Sequence, residues 1–140
     1  SKKPVAKIIA LDIGGKRTGI AETDPLQMIA SPRETVATDQ LEAYLKDWMA
    51  KEIIEAIVLG EPLALDGGDS HNSARVREWH QKLEKLFPAL KIVLQDERFS
   101  SKMAQRAQIE SGMKKKQRRQ KGSLDPISAA IILRDYLEQH

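Results

Sequence analysis

The sequence predicts an α/β fold on a mixed five-stranded sheet, with three strands in an antiparallel meander, two more in parallel, and helices flanking them. Two observations carry this expectation. Short apolar runs broken by glycine and polar turns fill the first 36 residues, and thereafter apolar runs alternate with stretches of helical periodicity, which implies right-handed crossovers between parallel strands.

Taken in order, residues 7–13 form an apolar run that Gly14-Gly15 ends, and residues 18–21 resume it after a polar turn. A third strand is expected over 27–36, where Pro32 argues for a sheet edge or a bulge. Asp39 is the expected N-cap of a helix whose stripe runs through Leu41, Leu45, Trp48, Met49 and Ile53. Residues 56–60 lack alternation, as a strand covered on both faces does. A loop over 61–72 carries Pro62 and Asp66-Gly67-Gly68. Val76, Trp79, Leu83, Leu86 and Phe87 mark the next helix, which Pro88 stops, and 91–94 is a second buried strand. Ser101 opens a helix that Gly112 can close, and a last helix over 126–138 carries Ile127, Ala130, Ile131 and Leu137 on one side.

Composition removes several function classes. The 140 residues include no cysteine, so there is no disulfide framework, thiolate metal site or catalytic thiol. Apolar runs fall far short of the roughly 20 residues that span a bilayer, and no signal peptide opens the chain, so a soluble, cytoplasmic protein without a membrane partner is expected. The formal charge is +3, yet Lys114, Lys115, Lys116, Arg118, Arg119 and Lys121 supply six of the 23 basic residues. Without them 17 basic residues would face 20 acidic ones, a balance of −3. A local patch of this kind suits a polyanion, although a solvated charge run has the same composition.

Asp12 stands out because a carboxylate near the end of an apolar strand is costly to desolvate without compensation. Asp96-Glu97 follows another strand, and Asp125 precedes the last helix. In an open sheet, chemistry collects at the carboxyl ends of parallel strands, where these groups can converge. Oxygen ligands without a histidine or cysteine cluster suit Mg²⁺ or Mn²⁺. Two such ions about 4 Å apart activate a water and stabilise the leaving oxygen of a phosphodiester. Each residue also has a structural explanation. Asp12 can cap its turn, Glu97 can pair with Arg98 or cap a helix, and Asp125 before Pro126 is an ordinary N-cap.

At these residues the chain resembles the YqgF/RuvX family, over about residues 7–137. The segment Asp12-Ile-Gly-Gly-Lys-Arg-Thr-Gly-Ile-Ala21 resembles the family's opening strand and turn. Gly60-Glu61-Pro62-Leu63 with Asp66-Gly67 and Val76-Arg77 resembles its central strand and loop. Asp96-Glu97-Arg98-Phe99-Ser100-Ser101 with Ala104 is similar to its acidic-acidic-arginine signature, and Lys121-Gly-Ser-Leu-Asp125 with Ala129-Ala130 to its final helix. The resemblance implies a ribonuclease H-like fold related to Holliday-junction resolvases, here as a single nuclease domain over 1–140. It also implies a metal-dependent role in trimming the 5′ end of precursor 16S ribosomal RNA. Its acidic site maps onto Asp12, Glu97 and Asp125. One departure is Glu61, where the family commonly has leucine. Resolvases carry an acidic ligand at the end of the corresponding strand, which makes Glu61 a candidate to join the site or to displace Glu97 from it.

Lys16 and Arg17, in the turn beside Asp12, are candidate phosphate contacts, or else a solvated hairpin tip. Arg98 is a candidate clamp on the scissile phosphate or a neutraliser of Glu97. The cluster over 114–121 would hold a backbone without reading sequence. Aromatic residues make up 4% of the chain, which disfavours a base-stacking platform, and Trp48 and Trp79 lie on core stripes. His71 and His80 lack ligand spacing. The expected substrate is precursor rRNA, handled by a monomer or homodimer. The competing readings are a ribosome-assembly factor that binds RNA without cutting it and a resolvase of branched DNA. A sugar-kinase-like ATP site at Gly14-Gly15 is disfavoured, because 140 residues leave no second lobe.

Overall fold

The computed structural model describes residues 6–62, 71–96 and 125–139, with backbone alone for His71, Asn72 and Asp125. Its elements are β1 (Lys7–Ile13), β2 (Arg17–Thr23), β3 (Ala30–Ala37), a 3-10 turn (Thr38–Gln40), α1 (Leu41–Lys51), β4 (Ile54–Glu61), α2 (His71–Leu86), β5 (Lys91–Asp96) and α3 (Asp125–Gln139). The strands form one sheet in the order β3-β2-β1-β4-β5. Antiparallel pairing joins β1 to β2 and β2 to β3, while β1, β4 and β5 run parallel. The expected meander and parallel pair are both present. The helix expected over 101–112 lies outside the described residues.

Strand alternation sorts the side chains into two cores. Ile9, Leu11, Ile13, Ile20, Ile57 and Leu59 face α1 and α2, where Leu41, Leu45, Trp48, Val76 and Leu83 meet them. Ile8, Ala10, Ala21, Ala56 and Val58 face the other way, against Ala129, Ile132, Leu133 and Tyr136 of α3. The two middle strands are buried on both sides, which explains the missing alternation in β4. Alanines at 10, 21 and 56 leave room for α3 to lie close to the sheet.

Several boundaries differ from the sequence expectation. β3 starts at Ala30 rather than Gln27, because Asp24 folds the chain before it into a tight turn. Asp24 Oδ1 accepts from the Met28 and Ile29 N–H groups at 2.8 and 2.7 Å, and Gln27 takes φ 58°. Those hydrogen bonds hold the Asp24 carboxyl below its ordinary value. β3 is an edge strand, and its register shifts opposite Ile20/Ala21, next to Pro32, so the proline sits where its missing N–H costs least.

Asp39 is not the cap of α1. It lies within the 3-10 turn, and Gln40 occupies the cap position without a side-chain hydrogen bond. Ile53 lies beyond the helix and is 60% exposed, since the chain must extend there to bring Ile54 into the sheet. α2 begins at His71, earlier than Val76 suggested. On α3 the buried stripe facing the sheet is Ala129, Ile132, Leu133 and Tyr136, with the expected Ala130 and Leu137 packed beside it and Ile131 buried, whereas Ile127 is 38% exposed. Trp48 is buried and Trp79 packs at the margin of the same core, as expected. His80 contacts the Ile92 carbonyl at 3.1 Å, a structural role.

At the end where β1 begins, a polar network ties the layers together. Lys7 Nζ donates to Glu22 Oε1 at 2.7 Å and to Glu52 Oε1 at 3.2 Å. Arg33 donates to Glu22 Oε2 and to the Tyr44 hydroxyl, each at 2.7 Å, with its guanidinium carbon 4.1 Å from the Trp48 ring centroid. Burial together with the hydrogen bond to Glu34 pushes the Tyr44 hydroxyl up to about 12.

Candidate active site

Asp12 is the penultimate residue of β1 and is half-buried. It follows Ile8 and Ala10 in the strand alternation, so its position belongs to the sheet face that α3 covers. Its cross-strand partner on β2 is Gly19, which presents no side chain.

The turn that follows is fixed by specific contacts. The Gly14 N–H donates to the Arg17 carbonyl at 2.9 Å. A Cβ at Gly14 would stand 2.8 Å from that same oxygen, which explains the glycine. From β3's end, the Thr38 hydroxyl donates to the Gly14 carbonyl at 2.7 Å and its N–H donates to the Lys16 carbonyl at 2.9 Å. Thr18 and Thr38 hydroxyls lie 2.9 Å apart, both buried. The exposed Lys16, in the turn after β1, and the exposed Arg17, which opens β2 rather than lying in the turn, are thus held on a braced segment that follows the end of β1.

Glu61 ends β4, one strand away from β2 and beside β1. Its Oε2 accepts from Arg77 Nε of α2 at 2.9 Å, and its side chain is 13% exposed. Alternation groups it with Ile57 and Leu59 on the α1 and α2 side, opposite the face of Asp12. Of the two places considered for Glu61, as an additional ligand or as the replacement for Glu97, this geometry favours neither.

Asp125 is the first residue of α3, the helix that packs on the face to which Asp12 belongs. Asp96 ends β5, in register with Glu61. Glu97, Arg98, Lys114, Lys115, Lys116, Arg118, Arg119 and Lys121 lie outside the described residues. Among the described residues no three His, Cys, Asp or Glu side chains are grouped to hold a metal ion. No described helix is long and apolar enough to cross a membrane.

Sequence reasoning missed Thr38 and Arg75. Nothing in the sequence singles out Thr38. Its bracing role depends on the antiparallel register, which sets Arg17 opposite Ala37. Arg75, on α2, lies against Gly15, and a Cβ added there would meet its Nη2 at 3.2 Å. No local pattern ties residues 60 positions apart.

Comparison with known proteins adds lineage to this geometry. The family model RuvX, described as Holliday junction resolvase, matches residues 6–139. A protein of Flavobacterium johnsoniae named "Putative pre-16S rRNA nuclease" is 45% identical over 131 residues, covering 94% of this chain and 95% of the relative. One of the same name from Bacteroides thetaiotaomicron is 42% identical over 134 residues, covering 96% and 97%. The crystal structure of the fowlpox virus Holliday junction resolvase aligns with TM-score 0.54 at 14% identity, over 96% of this chain and 99% of that one. The shared fold is the ribonuclease H-like architecture expected from the sequence.

Proposed function

Because the chain belongs to the RuvX family, we propose that it is a nuclease that hydrolyses RNA phosphodiester bonds and processes the 5′ end of precursor 16S rRNA. In this reading residues 1–140 act as one nuclease domain in the cytoplasm. Asp12, Glu97 and Asp125 hold Mg²⁺ or Mn²⁺.

The observation that carries the reading is the position of Asp12 at the end of the central strand, on the sheet face packed by the helix that Asp125 opens. The donor set fits the ion. It offers carboxylate oxygens without cysteine, the ligand type that hard divalent cations take. When bound, a pair of such ions supplies an activated water and neutralises the leaving oxygen.

The chain's own residues do the rest. Asp12 is held by a strand buried on both faces, so its backbone moves little. Lys16 and Arg17, on the segment that Thr38 braces, attract the phosphates flanking the scissile bond. Arg98 neutralises the phosphate under attack. Lys114, Lys115, Lys116, Arg118, Arg119 and Lys121 add affinity that reads charge rather than sequence.

The test incubates the protein with a precursor 16S transcript and, separately, a four-way DNA junction, in Mg²⁺ or Mn²⁺. Cleavage of the RNA that disappears in Asp12→Asn, at an unchanged melting temperature, is the expected outcome. RNA binding without cleavage under either metal would reject it in favour of an assembly factor, and preferential cutting of the junction in favour of a resolvase.

A further inference from the structure

We propose that Thr18 and Thr38 are positioning residues for Asp12, joined in a buried chain of hydroxyl hydrogen bonds that runs from Thr18 through Thr38 to the Gly14 carbonyl. The chain fixes the end of β1 on which the carboxylate stands. This inference rests on the nuclease reading above and assigns residues that act through Asp12.

A threonine hydroxyl has one hydrogen to give. That of Thr38 goes to the Gly14 carbonyl, 2.7 Å away. The 2.9 Å contact between the two hydroxyls therefore has one direction, with Thr18 donating to Thr38. Thr18 is fully buried and Thr38 is 7% exposed. Thr18 lies opposite Ile13 on β1 and Val36 on β3, whose side chains belong to the core under α1 and α2. The Thr38 N–H adds a second tie, to the Lys16 carbonyl at 2.9 Å. One residue thus holds the chain at two carbonyls, two and four positions after Asp12.

Stability alone does not call for this arrangement. Hydroxyls at the edge of an apolar core must satisfy one another, whereas two valines of the same shape have nothing to satisfy. What the valines cannot do is hold Gly14. That residue is half-buried, and without the Thr38 hydroxyl its carbonyl would depend on water, which fixes no direction. Asp12 takes its place from the same stretch of backbone, since its partner Gly19 directly follows Thr18 on β2. A reacting group displaced by about 1 Å can lose on the order of a hundredfold in rate, so slack at Gly14 is costly to chemistry before it is costly to folding.

The experiment compares Thr18→Val, Thr38→Val, the double variant and Thr38→Ser in cleavage of a precursor 16S transcript under Mg²⁺ or Mn²⁺, with the melting temperature taken on the same samples. Each single valine breaks the chain and should lower the melting temperature by about 5 °C. The double variant should recover to within about 2 °C of wild type, because no buried hydroxyl is left without a partner. Its kcat should nevertheless stay about tenfold low, a larger change than the rise in KM, because the Gly14 anchor is still missing. Thr38→Ser keeps the donor and should restore kcat. Glu22→Gln, at the other end of the sheet, should lower the melting temperature and leave kcat unchanged. Wild-type kcat in the double variant would overturn the proposal, as would a Thr38→Ser no faster than Thr38→Val. If the double variant does not fold, Thr18→Val decides, since an unchanged kcat there contradicts a working chain. A wild type that cuts under neither metal removes the nuclease reading and this inference with it, a result distinct from full rates in the valine variants.

Discussion

Arg77 donates Nε–H to Glu61 Oε2 at 2.9 Å, joining the second helix to the end of the strand beside β1. The carboxylate that departs from the family pattern therefore already has a cationic partner. Glu61→Gln should lower stability by about 1 kcal/mol, through loss of a charge-assisted hydrogen bond that Arg77's exposure weakens. Metal-dependent cleavage should stay within about threefold of wild type, a shift too small for loss of a metal ligand. Urea denaturation and a cleavage time course check both parts.

Thr38 braces the Asp12 turn from the far side of β2. Thr38→Val keeps the shape but removes the hydroxyl that donates to Gly14 and pairs with Thr18. A cost of about 1–2 kcal/mol is expected, together with weaker RNA binding as Lys16 and Arg17 lose their fixed mounting. Chemical denaturation and a binding titration separate the two effects.

The seating of α3 on the sheet depends on Ile132, which is 1% exposed. Ile132→Ala should cost about 2–5 kcal/mol, whereas Ile127→Ala should cost less than about 0.5 kcal/mol. Equal costs for the two would contradict the helix orientation described above.

How much of this was legible in the sequence follows from the range of the interactions. The strands were readable because apolar runs between glycines leave few alternatives, and Pro32 marked its edge correctly. On α3 the expected Ala130 and Leu137 do pack against the sheet-facing core and Ile131 is buried, but Ile127 is 38% exposed and the centre of the stripe is Ala129, Ile132, Leu133 and Tyr136, which helical spacing alone does not single out. Asp39 has the chemistry of a cap, but Thr38 anchors the chain one residue earlier and shifts the helix start. Asp12 was legible as a costly charge on an apolar strand. The Arg75 contact with Gly15 was not, because it joins elements that only the tertiary fold brings together.

Acid should loosen the end of the sheet opposite the site first. Burial raises Glu22, but hydrogen bonds from Lys7 and Arg33 outweigh it and hold the group below its ordinary 4.5. The Trp48 and Lys7 hydrogen bonds hold Glu52 below the same value. Groups depressed in the folded state contribute stability that is present above 4.5 and is lost as pH falls through their folded values. Lys7 is raised above 10.5 by its hydrogen bond to Glu22, so its contribution is complete below that pH and fades as pH rises through the folded value. The melting temperature should decline below about pH 4.5, and Glu22→Gln should flatten that decline.

The most direct measurement is anomalous scattering from a crystal soaked in Mn²⁺. Manganese is expected at Asp12 and Asp125, with Glu97 completing the site and no ion at Glu61. Manganese absent from Asp12, or Asp12 and Asp125 too distant to share an ion, would contradict that arrangement.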